Sequence, residues 1–330
     1  MCVALVALTI ANLVMGAVDI PAQQVWQILT GGDCEKASWQ YIVMESRVPQ
    51  TVTAMLCGAA LAVSGLLLQT CFRNPLAGPS ILGITNGASL GVAIVILVCG
   101  SVINFPAGGG PGEVLAGFIT IVIAAFIGAM TIIAMLLALT SVVRNNLMLL
   151  IVGIMVSYLT SSIVSLCNFF ANADNVHTYV MWGMGSFSDV TLQQLPFFSG
   201  LCIIGLILAF LLVKPLNLLL LGENYATNLG LNIRSTRRMI LISTGILTAV
   251  VTAFCGPVAF IGLAVPHIAR LLTGTSNHTV LLPATILCGA VIALLCNIIC
   301  IIPGNIVIPL NAVTPIFGAP VIIYIIFRKK

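Results

Sequence analysis

The chain has 330 residues, 60% of them hydrophobic and only 6% charged, where a soluble domain carries about 25% charged residues. Twelve bases and eight acids leave a net charge of +4, too little polar surface to cover a water-soluble fold of this length. The bases form no stripe with interleaved aromatics, so no nucleic-acid surface is expected.

Crossing a bilayer as a helix takes about 20 apolar residues. Ten runs approach or reach that length, near 1–17, 48–71, 79–100, 114–140, 146–170, 196–213, 239–255, 258–272, 281–302 and 313–327. The first lacks a basic leading region and a small-residue cleavage site, so it reads as a short first span rather than a signal peptide. The missing upstream base is also what a start site placed too far downstream would leave. Helix breakers mark two places. Asn74-Pro75, Gly78-Pro79 and Gly83 precede the third span, and Gly256-Pro257 and Pro266 bracket a short eighth one. Irregular backbone at membrane depth survives only inside protein or beside a wet cavity, so both places point to a permeation path; tight turns between helices are the alternative.

The charges are sorted by sign. Arg73, Arg144, Lys214, Arg234, Arg237, Arg238, Arg270, Arg328, Lys329 and Lys330 share one set of connections with a single acid, Glu223. Asp19, Asp33, Glu35, Glu45, Glu113, Asp174 and Asp189 share the other with two bases, Lys36 and Arg47. Basic loops stay in the cytoplasm, and an even number of spans returns both termini there. The expected fold class is an all-α polytopic membrane protein: about ten transmembrane helices, both termini cytoplasmic, one permease domain over 1–330.

No span carries Asp, Glu or Lys in its middle, which argues against proton-coupled transport and charged filters. No phosphate-binding G-x-x-x-x-G-K-[ST] loop occurs, so the chain is not expected to be an enzyme and energy for active transport must come from another polypeptide. His177, His267 and His278 lie far apart in sequence. Cysteines such as Cys57, Cys255 and Cys288 sit in apolar runs, where they pack as small apolar groups. Cys296 and Cys300 lie four apart but have no evident third ligand, so no metal or cofactor is expected.

The stretch SRVPQTVTAMLCGAALAVSGLLLQ (Ser46 to Gln69) followed by FRNPLAGPSILGITNGASLG (Phe72 to Gly91) resembles the second and third spans of the FecCD family, the iron–siderophore, haem and cobalamin permeases of ABC importers. GENYATNLGLNIRSTRR (Gly222 to Arg238), GPVAFIGLAVPHIARLLTG (Gly256 to Gly274), Leu281 to Pro283 and FGAP (Phe317 to Pro320) follow in the family's order. The resemblance implies a permease subunit in the cytoplasmic membrane, paired with a second permease. Two ATPase subunits, holding ATP and magnesium, would lie beneath it and an extracytoplasmic binding protein above. Cargo would be an iron–siderophore, haem or corrinoid chelate. A small oxyanion cargo, or a stand-alone carrier or channel, is the alternative.

The resemblance also assigns residues. The inner loop at about 215–238, between spans six and seven, would form short coupling helices against the ATPase through Gly222, Glu223, Tyr225, Ala226, Leu229 and Gly230. The competing reading is an amphipathic linker on anionic lipid. On the outer side Arg47 matches the first arginine of an R-x-P-R docking pattern, with Gln50 in place of the second. Trp182 and Gly183 belong to a short outer helix facing the binding protein, although Trp182 also suits an interfacial anchor. Asn86 corresponds to a channel-lining position, and Asn145 and Asn146 lie near the cytoplasmic gate or cap a helix.

Overall fold

Unpaired backbone is too costly in hydrocarbon for anything but helices or closed barrels, and in the computed structural model the described residues form helices and no strands. The structure describes residues 1–16, 18–32, 34–100, 111–142, 146–302 and 308–328, with side chains described except at 111–115, 141–142, 146–147, 325–326 and 328. In chain order the helices are α1 (Cys2–Val14), α2 (Ala22–Leu29), α3 (Ala37–Tyr41), α4 (Val48–Phe72), α5 (Ile84–Ala93), α6 (Pro111–Val142), α7 (Asn146–Phe170), α8 (Ala173–Gly183), α9 (Leu195–Leu211), α10 (Val213–Leu220), α11 (Glu223–Asn228), α12 (Ile233–Cys255), α13 (Ile261–Thr273), α14 (His278–Ile301) and α15 (Leu310–Arg328). A π-helical stretch, Ile42–Arg47, joins α3 to α4, and a second, Ile94–Val98, prolongs α5.

The ten apolar runs each became a helix. Five are long and apolar enough to span alone, and α9 with α10 makes a sixth across a 48° bend. Shorter apolar helices occupy the first, third, eighth and tenth runs. Shortness has a local cause at two of them. α5 starts only after Gly83, whose φ of 80° stops the helix upstream, and α13 starts after Phe260 at φ 66°.

Helix α4 is the centre of the bundle. It packs against α14, α12, α13 and α9 and is buried on every side over its C-terminal two-thirds, as an all-round apolar helix must be. Small residues allow the close approach. A Cβ at Gly58 would fall on the Gly289 carbonyl of α14, and one at Gly65 inside the Gly262 carbonyl of α13. Such crossings let dispersion act where no hydrophobic force joins helices in lipid. Polar side chains add to it: Ser64 and Thr248 hydroxyls meet at 2.9 Å between α4 and α12.

Two boundaries differ from the sequence reading. α12 begins at Ile233, capped by the Asn232 side chain accepting from the Ser235 N–H at 3.0 Å, so Arg234, Arg237 and Arg238 belong to its first turns rather than to the loop. The helix of the second span runs unbroken from Ala37, placing Glu45 and Arg47 within it. The reason is α2, an outer helix not foreseen, whose Val25 and Ile28 pack with Ile20 and Val43 in a second small core. Its Pro21 start and apolar residues three apart were the available signal.

Candidate functional site

The predicted residues fall at three depths. At the inner end α9 bends into α10, which buries Leu216 and Leu219. Gly222 then turns the chain at φ 109° and Gly230 at φ 87°, a region favouring glycine. Between them α11 buries Ala226 and presents Tyr225 and Leu229, 65% and 56% exposed. Glu223 pairs with the buried guanidinium of Arg237 at 3.4 Å. Gly222, Glu223, Tyr225, Ala226, Leu229 and Gly230 thus form one small helical knob anchored on one side and apolar on the other.

At mid-depth the two interrupted segments meet. A cavity of about 120 Å³ lies between Leu61 of α4, Gly78–Ile81 with Thr85, and Val258–Leu263. His267 on α13 donates from Nε2 to the Pro75 carbonyl at 2.9 Å, and Gln69 donates to the Leu263 carbonyl at 3.0 Å, so irregular backbone is held by polar partners inside protein. Phe260 keeps its left-handed backbone against Gly318 of α15, where a Cβ would collide with it. Asn86 on α5 donates to the Ser157 carbonyl on α7 at 3.2 Å, joining those helices away from this cavity. Asn145 lies outside the described residues, and Asn146 opens α7 with its side chain outside them as well.

At the outer end a cavity of about 400 Å³ is lined by Gln50, Trp182, Ser186, Asp189, Asn297 and Cys300 among others. Gln50 donates to Asn297 at 3.1 Å, Asn297 to Asn12 at 2.7 Å, and Asn12 to the Leu294 carbonyl at 3.2 Å. The chain of amides crosses α4, α14 and α1. The indole N–H of Trp182 has no partner. Gly183, the last residue of α8, accepts from Asn311 Nδ2 at 3.1 Å. Asn311 also receives the Ala259 N–H at 3.1 Å and donates to the Pro257 carbonyl at 2.6 Å, tying the outer helix to the interrupted segment. Partial burial raises the Asp189 carboxyl pKa, and a hydrogen bond with Ser186 opposes the shift; the side chain still reaches solvent.

Arg47 is not beside this cavity's opening. It is 4% exposed and donates to the Leu13 and Val14 carbonyls at 2.9 and 2.6 Å and to the Val18 carbonyl at 2.5 Å, satisfying the open end of α1. The sequence reading brought Gln50 and Trp182 to one place but missed Asn12, Asn297 and Asn311. Amides inside or just beside apolar runs were the signal.

Fold and sites together define a polytopic helical membrane protein with interrupted helices at its centre, an inner knob and an outer vestibule. The profile of the FecCD transport family matches residues 4–328, and the chain belongs to that family. It is 34% identical, over 99% of its length and 94% of the relative's, to the vitamin B12 import system permease protein BtuC of Klebsiella pneumoniae. It is 33% identical to that of Salmonella newport, covering 98% and 95%. Among solved structures, an inward-facing metal-chelate type ABC transporter superposes with TM-score 0.83 at 28% identity, covering 99% of this chain and 97% of that one. PsaBC from Streptococcus pneumoniae in complex with Fab shares the fold at TM-score 0.54 and 14% identity, covering 84% and 90%.

Proposed function

We propose that the chain is the permease subunit of a binding-protein-dependent ABC importer in the cytoplasmic membrane, moving a metal chelate by alternating access. A corrinoid is the first cargo to test, given the B12 import permeases among its relatives; an iron–siderophore or haem would suit the same class. The subunit does no covalent chemistry. A second permease completes the path, two ATPase subunits bind ATP and magnesium, and membrane lipid surrounds the pair.

The observation that carries this reading is the α11 knob, whose Tyr225 and Leu229 face outward from a base fixed by Ala226 and the Glu223–Arg237 pair. Residues 222–230 carry no base to hold anionic lipid, and their exposed apolar groups suit a cleft in a partner protein. Replacing both Tyr225 and Leu229 by Ala lowers affinity for the ATPase subunit at least tenfold, about 1.4 kcal/mol, measured by titration in detergent. Unchanged affinity overturns the reading, as does cobalamin uptake by liposomes containing the permease alone.

The outer partner docks, on this reading, with basic groups. Asp19, Glu35, Glu45, Asp174 and Asp189 are exposed, Arg47 is buried, and Lys36 lies over the Trp39 ring at 4.8 Å. Gln50 and Trp182 line the vestibule beneath, Gly183 ties the outer helix to Asn311, and Arg47 contributes by holding α1. Reversing Asp174 and Asp189 to Lys slows binding-protein association at low salt; an unaltered association rate contradicts this docking.

A further inference from the structure

Taking α11 as the ATPase-facing knob, we propose that the last turn of α4, residues 69–73, is the relay that carries its displacement to the interrupted segments at the centre, with His278 as the positioning residue.

Two inputs and two outputs converge on three consecutive residues. The first input comes from α10, where Asn217 contacts His278 and His278 contacts Thr70. The second comes from α11, where Glu223 pairs with Arg237 at 3.4 Å and the Arg237 guanidinium lies beside the Cys71 thiol. On the output side Gln69 donates to the Leu263 carbonyl at 3.0 Å, at the wall of the central cavity. Its Oε1 accepts from Arg270 at 2.8 Å, Arg270 donates to His267 Nδ1 at 3.3 Å, and His267 holds the Pro75 carbonyl. α4 is buried on every side over its C-terminal two-thirds, so its last turn is the place where a loop at the inner surface can reach both α13 and the 74–83 segment.

Hydrogen-bond directions follow from the acceptors. Asn277 Oδ1 receives the Thr279 N–H at 3.0 Å and Asn217 Nδ2 at 2.9 Å. That orients Asn217 with Oδ1 toward His278, where it accepts the backbone N–H at 2.8 Å and faces Nδ1 at 2.9 Å. Nδ1 therefore carries the proton and Nε2 is the acceptor. Thr70 donates to Nε2 at 2.9 Å. The Thr70 hydroxyl also lies 3.0 Å from the Leu66 carbonyl one turn back. One proton has two acceptors, so when His278 withdraws the proton turns to Leu66 and no donor is stranded. The Thr70 donor thus has a partner in either arrangement, as a switching contact requires.

Hydrogen exchange by mass spectrometry on the assembled permease–ATPase complex, with and without ATP and magnesium, tests this. In the wild type, nucleotide changes exchange at 223–230 and also at 74–83. In Thr70→Val the change at 223–230 persists and the change at 74–83 is lost, while Thr70→Ser restores it. Should Thr70→Val not assemble, Asn217→Leu breaks the same chain nearer the surface and carries the same expectation. A 74–83 response retained in Thr70→Val or Asn217→Leu, or absent from the wild type, overturns the relay. No change at 223–230 in the wild type overturns the coupling reading instead.

Discussion

A guanidinium near the outer end of a span normally reaches for headgroups or water. Arg47 turns inward, because α1 ends at Val14 and leaves carbonyls with no helical partner. Arg47→Met strands these carbonyls at roughly 1–3 kcal/mol each. We expect a clear fall in thermal stability in detergent, with no rescue by Lys, which lacks the planar fork. Asp189 behaves in the opposite way. Its pKa is raised on folding, so its contribution to stability is fully present below the unfolded carboxyl pKa and is lost as pH rises through the raised value. Its negative charge also disappears earlier on acidification than an ordinary carboxylate's. Docking of a basic partner therefore weakens above the usual carboxylate range as pH falls, and Asp189→Asn removes that part of the pH profile in binding measurements.

Among the elements, α4 and α13 depend most on absence of side chains. Gly65 and Gly262 meet where a Cβ would occupy a carbonyl's position. Gly65→Val forces the helices apart at a cost of about 1–3 kcal/mol or more. The expected result is loss of a monodisperse peak in size-exclusion chromatography, whereas Gly183→Ala, with open space at its Cβ, leaves the peak unchanged. In α11 the glycines serve the backbone. Gly222→Val strains a φ of 109° by about 1–3 kcal/mol, and ATPase affinity falls although no contacting side chain is removed.

For the molecule as a whole, sign-sorted charge and helix order set the two faces. Cys34, half-buried between α2 and α3, lies on the outer side, so an impermeant thiol reagent labels it in intact cells and Cys34→Ser reduces the signal. A cysteine placed at Thr227 is labelled only in inverted vesicles. The reverse pattern contradicts the orientation. The networks at the two ends differ in kind: amides join α1, α4 and α14 outside, while histidines and arginines join α4, α10, α13 and α14 inside.

The sequence by itself determined the number of apolar helices, the sidedness and the family likeness, because lipid leaves a backbone few choices and sorts loops by charge. It also marked the breakers at Gly83 and Gly256-Pro257 and the glycine-bounded inner loop at Gly222–Gly230. What it could not say was which of these would meet. Only the tertiary structure brought residues 78–85 and 258–263 to one cavity, turned Arg47 inward, left Asn86 bridging two helices, and gathered Gln69, Thr70 and Cys71 where α12, α13 and α14 meet the end of α4. Those outcomes depend on contacts between residues up to about two hundred positions apart, such as Thr70 with His278. Such contacts arise from helix packing, which leaves no periodic trace in either partner's own sequence.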